Sequence, residues 1–428
     1  AEPRTPSPVR FRSGSLLLLA SVLLSAMPLF VRGEIAAIGP GTASLLAVIG
    51  LALAGPRLAQ WFTGLLARRL PARAPAALWL AVTNTRGYAL RTAGAVAALG
   101  MVVTLATSMS LTHTTIMAAT EAEAVRTVRA DAAVTAPAYG GIPYGLLEEV
   151  RRTPGVRAAV SVSTTTVVSR SLAVGDGGES SVSRAALVLG PEAKSVVDLD
   201  VTGGDLADLT GASIALDERA GRVGERRELT LGDGTPVRVT VVATYTRALG
   251  VGPVVLARDL VAGHTTAGLD STVLVRGEFR SGTLAARWPG VVVAPGGLSP
   301  QEAEGSAQLW INLAVLAVLL GYVLVSVAGR LVATTAGRGA EIAALKRLGA
   351  TPRQLRAMIR WEALLIALTA SGAGLVMSLA PVTLLSIGFL GRPWPSGPLW
   401  AAPAAVAVVC ALVWPAYELT ARRLIRRA

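Results

Sequence analysis

The chain has 428 residues, 52% of them hydrophobic and only 16% charged, with a mean hydropathy of +0.55. Soluble domains carry about a quarter charged residues, so this composition excludes an ordinary soluble multidomain protein and the disordered, collagenous and disulfide-stapled classes. One cysteine, Cys410, makes no internal disulfide, two histidines leave little for a zinc site, and the net charge of +13 suggests a nucleic-acid binder only until its distribution is examined.

Six stretches lack Asp, Glu, Lys and Arg over the length of about 20 residues that a membrane-spanning helix needs. They are residues 13–31, 35–56, 92–120, 305–329, 363–391 and 393–417. Core helices of soluble proteins rarely stay charge-free on every face for so long, so six transmembrane helices are predicted. Arg10 and Arg12 before the first stretch also fit the basic end of a signal peptide, but no small-x-small cleavage site follows it.

Basic residues cluster around Arg4–Arg12, between Arg57 and Arg91, between Arg330 and Arg360, and at Arg422–Arg427. These clusters fall on one side of a six-span alternation, which puts both termini and the clusters in the cytoplasm. Residues 118–308, between the third and fourth spans, are acidic on balance and are predicted to lie outside. Seven of the eight tryptophans lie in or beside the membrane stretches, as interfacial anchors do. Positive charge spread over cytoplasmic loops is explained by anionic lipid, and nucleic acid is not an expected partner.

The outer segment reads as an α+β domain. A strand over 129–136, a helix over 142–152 and a strand over 156–168 make a β-α-β start. Further strands are expected at 185–189, 228–231, 237–245, 254–256 and 272–275, with Gly232-Asp-Gly-Thr as a hairpin turn. No catalytic constellation, cofactor motif or metal site is expected: His264 stands alone, and Asp198, Asp200, Asp205 and Asp208 lack calcium-loop spacing.

Between the fourth and fifth spans runs Gly337-Arg-Gly-Ala-Glu-Ile-Ala-Ala-Leu-Lys-Arg-Leu-Gly-Ala-Thr-Pro-Arg-Gln. Ile342, Leu345 and Leu348 recur every third residue and predict one apolar helix face. Gly349 is placed to end that helix in a left-handed conformation, and Thr351, Pro352 and Gln354 have the pattern of a capping box opening the next helix. Such a short amphipathic helix can dock on a partner or lie on lipid. Ala370, Gly374 and Ser378, four apart, predict a close helix-packing face, and His113 near the outer end of the third span a polar cap.

The order of one span, a large external domain, three more spans and the motif from Arg338 to Gln354 resembles the FtsX-like permease family, the membrane subunits of MacB-like and lipoprotein-release-like ABC systems. Residues 80–94 also resemble that family's amphipathic helix before the membrane. The resemblance divides the chain into two leading spans (1–77), an amphipathic helix and third span (78–120), an extracytoplasmic domain (121–305), and three spans with a coupling helix near 338–350 (306–428). It implies that Glu341, Leu345, Arg347, Leu348, Gly349 and Ala350 contact a dimeric cytoplasmic ABC ATPase. It further implies the plasma membrane of a bacterium and export or extrusion of a hydrophobic substrate, peptide or lipoprotein. The alternative is a non-transporting transmitter that regulates a cell-wall hydrolase or other envelope partner. The two spans before the repeat resemble the second half of ten-span actinobacterial members, so a second repeat or protomer is expected. The chain is not expected to be an enzyme: neither Lys194 nor Lys346 sits in a phosphate-binding loop, so ATP hydrolysis would reside on the partner.

Overall fold

The computed structural model describes every residue except 1–7, 31–33, 70–74, 88, 173–178, 265–269, 280–281, 296–301, 337–338 and 428. Arg4, Arg73 and Arg338 therefore lie outside the described residues. The chain divides into two units, one made of Ala1–Ala118 with Ala303–Ala428 and the other of Ala119–Glu302.

The first unit opens with α1 (Pro8–Ser25), the short α2 (Met27–Phe30) and the long α3 (Glu34–Arg69). Small residues bring α1 and α3 together: a Cβ on Gly14 would stand 2.7 Å from the Ala54 nitrogen, and one on Gly50 2.8 Å from the Leu18 side chain. The Ser21 hydroxyl donates to the Ala43 carbonyl at 2.7 Å. Position rises along α1 as it falls along α3, so the two helices are antiparallel. Next come α4 (Ala76–Gly87) and α5 (Ala89–Thr127).

The second unit contains β1 (Ala132–Thr135), α6 (Leu146–Arg152), β2 (Val156–Leu172), β3 (Glu179–Leu189), β4 (Val201–Gly204), β5 (Ser213–Asp217), β6 (Arg226–Thr230) and β7 (Pro236–Tyr245). It ends with β8 (Val254–Ala257), α7 (Arg258–Val261), β9 (Thr272–Gly277), α8 (Gly282–Arg287) and β10 (Val292–Pro295). The strands run in the order β10-β1-β9-β2-β3-β8-β5-β7-β4, with β6 pairing β7 and β2. The β-α-β start is split. β1 and β2 both pair antiparallel with β9, so they run parallel to each other with β9 between them. Leu146 and Val150 of α6 are fully buried and share an apolar cluster with Val134, Val273 and Val275. The length of β2 lets it serve two neighbours, pairing β9 from Val156 to Val162 and β3 from Ser163 to Leu172. β6 and β7 form the expected hairpin, with Gly234 at φ +89 in its turn.

The chain then returns to the first unit through α9 (Glu302–Ala336), α10 (Gly339–Arg347), α11 (Pro352–Leu390) and α12 (Ala401–Arg427). One apolar cluster runs through these helices and α5, from Leu99 and Val103 through Leu331, Ile342, Leu355, Ile359 and Ile366 to Val409 and Tyr417. Among the described residues five helices are long and apolar enough to cross a membrane: Pro8–Phe30, Gly94–Thr127, Ala314–Thr335, Pro352–Leu390 and Ala401–Arg423. The expected span over 35–56 falls within α3, whose described apolar part is the shorter Gly41–Gly55.

Of the predicted packing stripe, Ala370 and Gly374 lie against α5. A Cβ on Gly374 would meet the Gly100 carbonyl oxygen at 2.6 Å, and the Thr104 hydroxyl donates to the Gly374 carbonyl at 3.1 Å. Ser378 is buried and its hydroxyl bonds back to Leu375. At the other end of α5, partly buried His113 precedes two threonines that hold the loop after α11: Thr114 and Thr115 donate to the Ser396 carbonyl at 2.8 and 3.2 Å.

Candidate coupling site

The residues of the α9–α11 connection form a defined corner. α10 carries Glu341 in its first turn and Lys346 and Arg347 in its last, which complements the helix dipole at both ends. It stops where expected. Gly349 sits at φ +95, its amide donates to the Lys346 carbonyl at 2.9 Å, and the Ala350 amide donates to the Leu345 carbonyl at 3.0 Å. These two bonds make a Schellman ending, which a side chain with a Cβ resists. Two residues on, the next helix begins. The Gln354 amide donates to the Thr351 hydroxyl at 3.3 Å, the Thr351 amide donates to Gln354 Oε1 at 2.9 Å, and Pro352 fills the first helical position. The chain therefore turns sharply between two well-terminated helices, and each side chain in the corner has a fixed direction.

That direction splits the predicted apolar face. Ile342 is 1% exposed inside the main cluster, and Leu345 and Ala350 pack against the same cluster. Leu348 is 84% exposed. A helix turns about 100° per residue, so six residues carry Leu348 about 120° round from Ile342. Of the six candidate coupling residues, Leu345 and Ala350 hold the corner down, Glu341 is partly buried, and Arg347, Leu348 and Gly349 stand at the surface.

Glu341 reaches a group that the sequence did not single out. Asn84 Nδ2 of α4 donates to Glu341 Oε1 at 3.2 Å and to Glu362 Oε1 of α11 at 2.7 Å. One amide thus ties α4, α10 and α11 together, and Glu362 is only 5% exposed. A clue was present: Glu362 lies one residue before a charge-free stretch, where a carboxylate needs a partner as it loses water. Its counterpart more than two hundred residues earlier in the chain could not be found from spacing.

A second polar lock joins α11 to α12. Arg360 grips Glu418 with two bonds, Nε to Oε2 at 2.9 Å and Nη2 to Oε1 at 3.0 Å, and Arg422 Nε adds a third to Oε1 at 3.0 Å.

In the second unit the acidic residues near 200 are occupied by cations and backbone. Asp198 pairs with Arg129 and Arg247, Asp200 accepts from Thr246, and Asp205 caps a turn and pairs with Lys194. Asp233 in the β6–β7 turn accepts from His264 Nδ1 at 2.7 Å and from Thr235. The His264 hydrogen bond, followed by those from Thr235, holds its carboxyl down at about 2. Among the described residues no group of three or more His, Cys, Asp and Glu is placed to hold a metal.

Residues 311–424 match the family described as FtsX-like permease C-terminal. This part of the chain is an FtsX-like permease domain. It spans most of α9, all of α10 and α11, and α12 almost to its end, so the corner and both polar locks on α11 fall inside it, apart from Asn84. FtsX-like permeases are the membrane components of ABC transporters rather than their ATPases, and they generally work with a cytoplasmic ABC ATPase. The chain is also similar to the extracellular domain of the noncanonic ABC-type transporter YknZ from Gram-positive bacteria, at 13% identity and a TM-score of 0.28 over 36% of this chain and 90% of that one. It resembles a domain of a putative permease protein from Porphyromonas gingivalis at 13% identity and a TM-score of 0.28, over 40% and 94% of the two chains. No curated protein sequence matches the chain.

Proposed function

We propose that the chain is the mechanotransmitting permease subunit of a bacterial ABC system, with α10 and the turn after it as the element that a dimeric cytoplasmic ATPase moves. The observation that carries this reading is the split of the α10 face. Ile342 is buried in the helix bundle while Leu348 and Arg347 stand free for a partner. Movement of a short helix so anchored passes directly to α4 and α11 through Asn84, and to α12 through the apolar cluster.

The same reading places six spans in the plasma membrane, with both termini and the corner in the cytoplasm and Ala119–Glu302 outside. A second permease repeat or protomer completes the assembly, and the cargo is a hydrophobic substrate, peptide or lipoprotein. The antiparallel pairing of α1 with α3 supports the sixth span, because Gly14, Leu18 and Ser21 meet Ala54, Gly50 and Ala43 along a common length.

Affinity purification of the full chain in mild detergent tests the proposal. An ABC ATPase should be recovered with the wild type and lost with Leu348→Asp. Failure to recover any ATPase with the wild type would overturn it.

A further inference from the structure

The first turns of α11 and the last part of the apolar run of α12 enclose a groove of about 440 Å³, within the size range of small-ligand sites. It is lined by Arg353, Arg356, Ala357, Arg360, Trp361 and Leu364 of α11 and by Trp414 of α12. The α11 residues recur three or four apart, so they form one stripe along the helix, roughly 16 Å long. The stripe is graded. Three arginines come first, a tryptophan follows at the edge of the charge-free stretch, and a leucine lies within it.

The charges in the groove are not equivalent. Arg360 is committed to Glu418 and lies 5.8 Å from the Trp414 ring centre. Arg356 has only a long bond, 3.3 Å, to the Pro352 carbonyl of its own helix. Among the described residues neither Arg353 nor Arg356 has a carboxylate partner. Two guanidiniums without a carboxylate partner therefore line a groove that also holds Trp361 and Leu364 of the same helix and Trp414 of α12. A protein surface would not need this order of charge, ring and alkyl chain along one helix, whereas a phospholipid presents phosphate, glycerol and acyl chain in that same order.

We propose that this groove binds an anionic phospholipid of the cytoplasmic leaflet. Arg353 and Arg356 take the phosphate and headgroup, Trp361 and Trp414 flank the glycerol, and Leu364 meets the start of an acyl chain. The bound lipid would sit one helical turn from the Thr351 cap and so stiffen the segment that follows the α10 corner.

Native mass spectrometry of the full chain in detergent, titrated with phosphatidylglycerol or phosphatidylcholine, tests this. The wild type should retain phosphatidylglycerol preferentially. Replacing Arg353 and Arg356 together by Gln should weaken that retention roughly thirtyfold, about fivefold per guanidinium, and leave phosphatidylcholine unaffected. Arg330→Gln, an exposed arginine at the end of α9, should change nothing. Glycerol phosphate, which has no acyl chains, should not displace the lipid. In vesicles, brominated phosphatidylglycerol should quench tryptophan fluorescence more than brominated phosphatidylcholine. That excess should vanish when Trp361 and Trp414 are replaced by Phe, a readout that leaves both arginines in place. An equal loss with Arg330→Gln would mean diffuse surface charge, and full displacement by glycerol phosphate would mean a simple anion site. A double Gln variant that kept its lipid but lost a co-purifying ATPase would make the groove a protein contact. Each of these three results would overturn the proposal.

Discussion

Leu345 lies in α10 and Leu348 in the turn just past its end, three residues on, and the two have opposite surroundings. Spacing alone put both on a single apolar face, because a three-residue repeat drifts only slowly round a helix; the drift becomes decisive by the third member. Substituting Leu345 with Asp would place a carboxylate against the bundle and confound loss of coupling with loss of fold. Leu348→Asp removes no buried contact, so its melting temperature should stay within experimental error of the wild type while stimulation of the partner ATPase collapses. A preserved stimulation would show that the exposed end of α10 is not the contact. Gly349 was legible for a firmer reason: φ +95 is a conformation that glycine adopts freely. Gly349→Val should cost about 1–2 kcal/mol of stability by thermal melting, and Thr351→Ala about 1 kcal/mol through loss of the cap.

Asp233 gives a pH prediction at the same scale. Its carboxyl is lowered from 3.8 to about 2 in the folded chain, first by the hydrogen bond from His264. A depressed carboxylate stabilises the fold above its unfolded value and loses that contribution as pH falls through the folded one. The β6–β7 turn should therefore loosen between about pH 4 and pH 2, visible as faster hydrogen exchange at the Gly234 amide, which donates to Leu231. In Asp233→Asn that acid dependence should be absent.

At the scale of elements, what the sequence revealed depended on length and contrast. The long apolar stretches, the hinge and the strands rich in Val and Thr were all visible. β4, β5 and β10 were not. They are four or five residues each, β4 ends in two glycines, and β5 is buried on both faces and so shows no alternation. The node at Asn84 was also hidden, because it joins three helices drawn from both ends of the chain. Removing its amide leaves Glu362 buried with one donor fewer. Asn84→Ala should cost about 1–3 kcal/mol, measured by thermal unfolding in detergent, and should reduce ATPase stimulation although it lies away from the exposed end of α10. Asn84→Asp should be worse, since it sets a third carboxylate beside Glu341 and Glu362. Equal behaviour of the two variants would show that the node carries no charge balance.

At the scale of the whole molecule the decisive quantity is the number of crossings before α5. The net charge of +13 conceals two populations, a basic one on the loops assigned to the cytoplasm and an acidic one on Ala119–Glu302. On the proposed topology, counting back from the basic C-terminal end, α12, α11, α9 and α5 each reverse sides and leave α4 in the cytoplasm. If α3 also crosses, α1 must begin in the cytoplasm; if α3 stays on one side, α1 must begin outside. Charge favours the first arrangement, because Arg10 and Arg12 precede α1's apolar run. So does the antiparallel α1–α3 contact, which gives α3 the depth of α1 although its described apolar part is short. Cysteine labelling decides between them. In a Cys410→Ser background, a cysteine at Arg12 should react with an impermeant maleimide only after the membrane is opened, as should one at Leu348. A cysteine at the exposed Glu228 on β6 should react in intact cells. Labelling of the Arg12 position in intact cells, with Leu348 still protected, would remove α3 from the spans and reduce the count from six to five.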